Sequence, residues 1–110
     1  MKNIFTLITL TFLSIVSVNA QDNSSKKADK QFSRLEFVKA SESYKKLIDK
    51  GNSSDYIVGQ LAECYYNIFN TVEAEKWYAT LAEDSTDPDI IFKYSQMLKA
   101  NGKYKLSNKW

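Results

Sequence analysis

The second half of the chain repeats the first at a fixed interval. Ala40-x3-Tyr44-x2-Leu47 returns as Ala74-x3-Tyr78-x2-Leu81, displaced by 34 residues at all three positions. Leu61-Ala62-x2-Tyr65 returns as Tyr94-Ser95-x2-Leu98, displaced by 33, and Gly102-x-Tyr104-x2-Ser107 places a small residue 33 after Ala74. A period of this size marks an array of stacked supersecondary units, because one such unit cannot cover its own apolar face and needs neighbours to do so.

The apolar spacing within each period is helical. Phe32, Leu35 and Val38 recur at three-residue steps, and Phe37, Ala40, Tyr44, Leu47 and Ile48 fall on one stripe at the i, i+3, i+4, i+7 rule. Lys50-Gly51-Asn52-Ser53-Ser54 supplies a helix-ending Gly and N-cap residues, so a second helix is expected near Asp55, with Ile57, Val58, Leu61, Cys64, Tyr65 and Ile68 along one side. Phe69-Asn70 makes a tight break. A third stripe runs from Val72 to Ala82 through Ala74, Trp77, Tyr78 and Leu81. Pro88 is placed to open the next helix, which carries Ile90, Ile91, Tyr94, Met97 and Leu98 to a stop at Asn101-Gly102. No segment alternates with period two for long enough to make a strand, so the fold expected is all-α.

The spacing has a physical reading. A small residue at 40, 74 or 107 lets two antiparallel helices approach closely, and an aromatic side chain one turn later fills the groove between them. Leu47 and Leu81 then seal the seam with the following unit.

Before this region stands Ile4 to Val18, free of charge and preceded by Lys2, with Val18-Asn19-Ala20 ahead of Gln21. That is the form of a cleavable export signal over residues 1–20, with 21–27 as a polar linker and a helical domain over 28–110, its units at about 28–53, 55–87 and 88–110. The alternative is an uncleaved membrane anchor, for which the stretch is short. With Lys2 removed, the 15 basic residues become 14 against 13 acidic, a net charge of +1 that makes no case for nucleic acid. There is no His, which removes the commonest general base and metal ligand. Cys64 is alone and expected to be buried and inert, or paired between chains. Glu73 and Glu75 fall on different helix faces, Glu83-Asp84 lies in a turn, and Gly51, Gly59 and Gly102 form no phosphate loop. Asn23 and Asn52 open Asn-Ser-Ser sequons, which would matter in a eukaryotic secretory route and otherwise read as a tail and a turn. No catalytic residue, metal, cofactor or small-molecule substrate is expected.

These residues resemble the tetratricopeptide repeat. In the middle copy Val58 stands where that family often has Trp, Leu61 and Ala62 at its Leu-Gly pair, Tyr65 at its Tyr, Ala74 and Tyr78 at its second-helix Ala and aromatic, and Pro88 near its closing Pro. The third copy has Ile91, Tyr94, Ser95, Leu98, Gly102, Tyr104 and Ser107 in matching places. The first keeps Phe37, Ala40, Tyr44 and Leu47 but has Lys27 and Gln31 where apolar residues belong. The resemblance implies a right-handed α-solenoid of helix hairpins, about two and a half repeats, serving as a scaffold. It also implies a groove lined by the first helix of each pair. Matched residue by residue, that groove takes Asp29, Phe32 and Ser33, then Tyr56, Glu63, Tyr66 and Asn67, then Phe92, Gln96 and Lys99, with Tyr66 and Phe92 as anchor area.

The export signal ending in Ala20-Gln21, Lys26-Lys27-Ala28-Asp29-Lys30, and the Trp77-Tyr78 and Tyr94 stretches are also similar to the head of Bacteroidota envelope proteins in which such repeats precede a β-propeller and an OmpA-like domain, some of them serving type IX secretion and gliding. The resemblance implies a periplasmic or outer-membrane address and a protein or peptide partner there. The pattern breaks off at Trp110 within a repeat. The expectation is that Met97, Leu98 and Trp110 leave an apolar face exposed, to be met by further chain, by self-association or by a partner.

Overall fold

The computed structural model describes residues 24–110. The expected export segment, Ile4 to Val18, and the first sequon at Asn23 lie outside these residues. The described chain is all-helical: α1 (Lys26–Ser33), α2 (Phe37–Asp49), α3 (Asp55–Asn67), α4 (Thr71–Ala82), α5 (Pro88–Ala100) and a short α6 (Tyr104–Ser107), with no strand among the described residues. Each helix packs chiefly on its chain neighbours.

Local chemistry sets the boundaries. Ser54 caps α3 by accepting from the Ile57 amide, Asn70 caps α4 through Glu73, and Asp87 caps α5 through Asp89, with Pro88 at the first turn. The helix ends repeat. After α1 the Leu35 amide donates to the Phe32 carbonyl and the Glu36 amide to Gln31. After α3, Phe69 donates to Tyr66 and Asn70 to Tyr65, and after α5, Gly102 donates to Lys99 and Lys103 to Leu98. This paired closure puts one residue in the left-handed region, at φ of 62° for Leu35, 58° for Phe69 and 79° for Gly102. Gly is the residue suited to that conformation; Leu and Phe adopt it at a cost of roughly 1–2 kcal/mol.

Three expectations are corrected here. Leu35 and Val38 do not continue an apolar stripe, because the left-handed turn at Leu35 separates α1 from α2 and leaves them 73% and 57% exposed. The polar linker ends earlier than expected, since Lys26 and Lys27 already belong to α1. Met97 and Leu98 are buried rather than exposed, because α5 turns them back onto α4, where Met97 joins Ala62, Ala74 and Tyr78. Trp110 is exposed as expected, although it rests edge-on against Tyr94, and Phe92, Tyr104 and Leu106 are exposed with it.

The core is built on three pairs of small residues, twelve apart in sequence. Ala28 and Ala40 are buried together at the α1–α2 crossing, Ala62 and Ala74 at the α3–α4 crossing. At α5–α6 the pair is Ser95 and Ser107, where the Ser107 hydroxyl donates 3.1 Å to the Ser95 carbonyl. A hydroxyl in so tight a crossing needs such a partner, and the neighbouring backbone provides it. Tyr44, Leu61, Cys64, Tyr78 and Leu98 fill the space on either side.

Candidate functional site

The helices that would line a groove, α1, α3 and α5, carry the same positions at intervals of 34 and 33: Asp29, Glu63 and Gln96 in one series, Phe32, Tyr66 and Lys99 in the other. In the first two units these side chains are spent on the fold. The Tyr44 hydroxyl donates 2.5 Å to Asp29 Oδ1, and the Tyr56 hydroxyl, from the next unit, donates 2.8 Å to the same oxygen. The Tyr78 hydroxyl donates 2.7 Å to Glu63 Oε1, which also receives Lys93 Nζ of the next unit at 2.7 Å. Phe32 stands edge-on to Tyr44 with ring centres 6.5 Å apart, and Tyr66 likewise to Tyr78 at 6.3 Å. Each carboxylate therefore joins a phenol of its own hairpin to a donor from the hairpin that follows.

The electrostatics follow from this arrangement. Burial, and then the bond to Glu63, pushes the Tyr78 hydroxyl far above the ordinary tyrosine range, because ionising it would place a second negative charge beside a carboxylate. Burial and Asp29 do the same to Tyr44. Burial lowers the Lys93 ammonium, but its bonds to Glu63 and Asp89 outweigh that and hold it above the ordinary lysine value. Lys93 also lies 5.1 Å over the Tyr66 ring. Cys64 is fully buried, and its thiol is pushed up to about 12 by burial and by Glu63.

The residues expected to line a groove thus divide. Asp29 and Glu63 are bound as above, Phe32 packs into the α1–α2 core, Ser33 donates to the Lys30 carbonyl, and Asn67 donates to the Glu63 carbonyl within its own helix. Tyr56 spends its hydroxyl on Asp29 but leaves its ring exposed, as Phe92 is. In the third unit Gln96 and Lys99 are exposed and their side chains have no hydrogen-bond or ion-pair partner among the described residues. With Tyr66 they form one cleft of about 470 Å³ between the C-terminal ends of α3 and α5, completed by Phe69, Met97, Ala100 and Tyr104. Groove matching does not reach Phe69 or Tyr104; the sequence signal for Phe69 is a bulky residue in the slot that Gly102 fills one unit later.

Of the repeat-packing positions, Ala40, Tyr44, Leu61, Ala62, Ala74, Tyr78, Leu81, Leu98 and Ser107 are buried, and Leu47, Tyr65 and Tyr94 are half-buried against the same clusters or beside them. Glu75 is bound by Lys103 at 2.7 Å and Glu73 accepts from the Trp77 indole, so neither faces the other. No group of three metal-ligating side chains occurs among the described residues, and no described helix is long and apolar enough to cross a membrane. No protein-family model, curated protein or solved structure matches the chain.

Proposed function

We propose that this chain is a non-catalytic protein-binding scaffold of tetratricopeptide type, a right-handed solenoid of helix hairpins exported to the cell envelope. In this reading it is the repeat head of an OmpA-like outer-membrane-associated protein. The observation that carries the scaffold reading is the division just described. The first two units spend their groove-position side chains on holding neighbours together, and the third presents Gln96 and Lys99 unspent beside an aromatic cleft. Large aromatic surface with a few free polar groups is what protein recognition uses, and peptides dock between adjacent helices in this way. The left-handed turns at 35, 69 and 102 and the small-residue crossings at 28/40, 62/74 and 95/107 support the solenoid, since both recur at the repeat interval.

Capture from a periplasmic extract tests the scaffold reading. The wild-type chain is expected to retain partners that a Tyr66→Ala, Phe92→Ala variant loses, and equal recovery by both would remove the groove. A self-associating role is favoured by Phe92, Tyr104 and Leu106, all exposed on α5 and α6, and a membrane-anchored one would rest on Ile4 to Val18 staying uncleaved. Sedimentation at rising concentration and mass measurement of the exported chain separate the two: a monomer lacking residues 1–20 supports the scaffold, whereas a dimer or an intact Met1 supports the alternative.

A further inference from the structure

We infer that the edge of the array formed by the turns within its hairpins is a ridge that lies on an anionic lipid surface. Leu35, Val38, Ile68, Phe69 and Val72 enter the headgroup boundary, and Arg34 and Lys105 meet the lipid charge. The inference goes beyond the scaffold reading, because the turns build the ridge and the groove positions do not.

The ridge is itself a repeat. Leu35 and Phe69 stand 34 residues apart in the same left-handed turn, and Val38 and Val72 follow them by three. All four side chains are exposed, Phe69 at 75% and Val72 at 68%. Two shallow clefts join the units into one edge: Leu35, Val38 and Ile68 line the first, Phe69 and Tyr104 the second. Large side chains in these turns do not serve the fold, since Leu and Phe hold a backbone angle that favours Gly and pack on little. A lone exposed Leu is ordinary on a protein surface, whereas exposed apolar side chains contiguous at one register make a contact face.

Charge selects a lipid surface over a second copy of the chain. Arg34 precedes the first turn, and in the third unit Gly102 and Lys105 take the slots of Phe69 and Val72, so a cation flanks the ridge at each end. Arg34 and Lys105 are exposed and have no ion-pair partner among the described residues. The acids of this edge are engaged: Glu36 lies 3.7 Å from Lys39, Glu75 2.7 Å from Lys103, and Glu73 accepts from the Trp77 indole. A two-fold contact between two ridges sets Arg34 against Arg34 or against Lys105, like charge on like in either orientation. An anionic leaflet meets both cations at once while the apolar turns enter its boundary, the combination that holds proteins at membrane surfaces. No described helix is long and apolar enough to cross a membrane, and the ridge is made of turns, so the contact is with the surface.

The test uses the chain as recovered from cells, its N-terminus fixed by mass measurement and identical in every variant, in a Cys64→Ala background. The environment-sensitive dye NBD is attached at Phe69→Cys or at Ser85→Cys, which lies beside Asp55 at the other end of α3. With phosphatidylglycerol vesicles the dye at 69 should brighten and shift to the blue while the dye at 85 does not, and phosphatidylcholine vesicles should bind at least about tenfold more weakly. Joint Arg34→Gln and Lys105→Gln changes should weaken vesicle affinity by about tenfold. Joint Leu35→Gly and Phe69→Gly changes in the unlabelled chain should weaken vesicle flotation by about tenfold while raising the thermal midpoint, a combination that damage to the fold would not give. An unchanged dye at 69, equal responses at 69 and 85, or equal affinity for the two lipids overturns the inference. So does a double glycine variant that floats like the wild type, or a blue shift at 69 that comes from dimerisation without vesicles.

Discussion

Replacing Tyr78 by Phe removes one oxygen, the hydroxyl donating 2.7 Å to Glu63 Oε1 from a ring that is 1% exposed. A hydrogen bond to a charged acceptor is worth about 1.5–3 kcal/mol. The lower figure applies here, because the Glu63 side chain is 26% exposed and Lys93 Nζ remains 2.7 Å from the same oxygen. The expected loss is about 1.5 kcal/mol, which in a domain of this size lowers the thermal midpoint by about 6–12 °C. Lys93→Met removes the other donor. The double variant should lose more than the two single losses added together, by about 0.5–1 kcal/mol, since each donor alone still satisfies the carboxylate and the pair of changes leaves it half-buried and unmet. Urea unfolding of the four proteins, with slope and midpoint both fitted, measures this cycle. A Tyr78→Phe loss under about 0.3 kcal/mol at unchanged slope would refute the claim that the phenol–carboxylate bond holds the α3–α4 hairpin together.

Three further outcomes follow from the same geometry. Ala74→Leu forces three extra carbons into a crossing where Ala74 has no exposure, and should cost about 1–3 kcal/mol in urea unfolding. Leu35→Gly relieves a left-handed φ of 62° at a side chain that packs on little, and should stabilise by about 0.5–1 kcal/mol; a lower thermal midpoint would show that the exposed Leu contributes to the fold. Because the folded Cys64 thiol keeps its proton up to about 12 while the unfolded thiol loses it near its ordinary value, stability is intact below pH 8.5 or so and falls above it. The fall from this group is about 1.4 kcal/mol per pH unit at its steepest, and Cys64→Ala should delay the onset until the tyrosines begin to ionise. Urea midpoints from pH 7.5 to 10.5 measure it, and identical slopes in both proteins would contradict the burial argument.

Much of the fold could be read from residue types with strong local signals. Ser54, Asn70, Asp87-Pro88, Gly51 and Gly102 mark helix ends because capping and left-handed closure need those side chains, and the structure puts the ends there. The end of α1 was hidden, because Leu35 carries a turn that Gly normally makes and also continues an apolar three-residue spacing. Only its place 34 before Phe69, itself 33 before Gly102, gives the turn away. Ala28 is hidden for the same reason: its role follows from lying 34 before Ala62 and not from its surroundings in sequence. At the candidate site the family resemblance implies one groove face for Asp29, Glu63, Gln96 and Lys99, but a face is not a bonding state. Whether a carboxylate there is free or tied to a tyrosine fifteen residues on depends on how closely two helices pack, which spacing alone does not fix.

The central claim is that small residues let successive helices nest at a repeated crossing, and methyl-selective NOE spectroscopy reaches it directly. With alanine methyls labelled, the Ala40 methyl should show cross-peaks to Ala28 and Leu61, and the Ala74 methyl to Ala62 and Met97. A folded chain in which the Ala40 and Ala74 methyls show cross-peaks only to water and to residues of their own helix would contradict it.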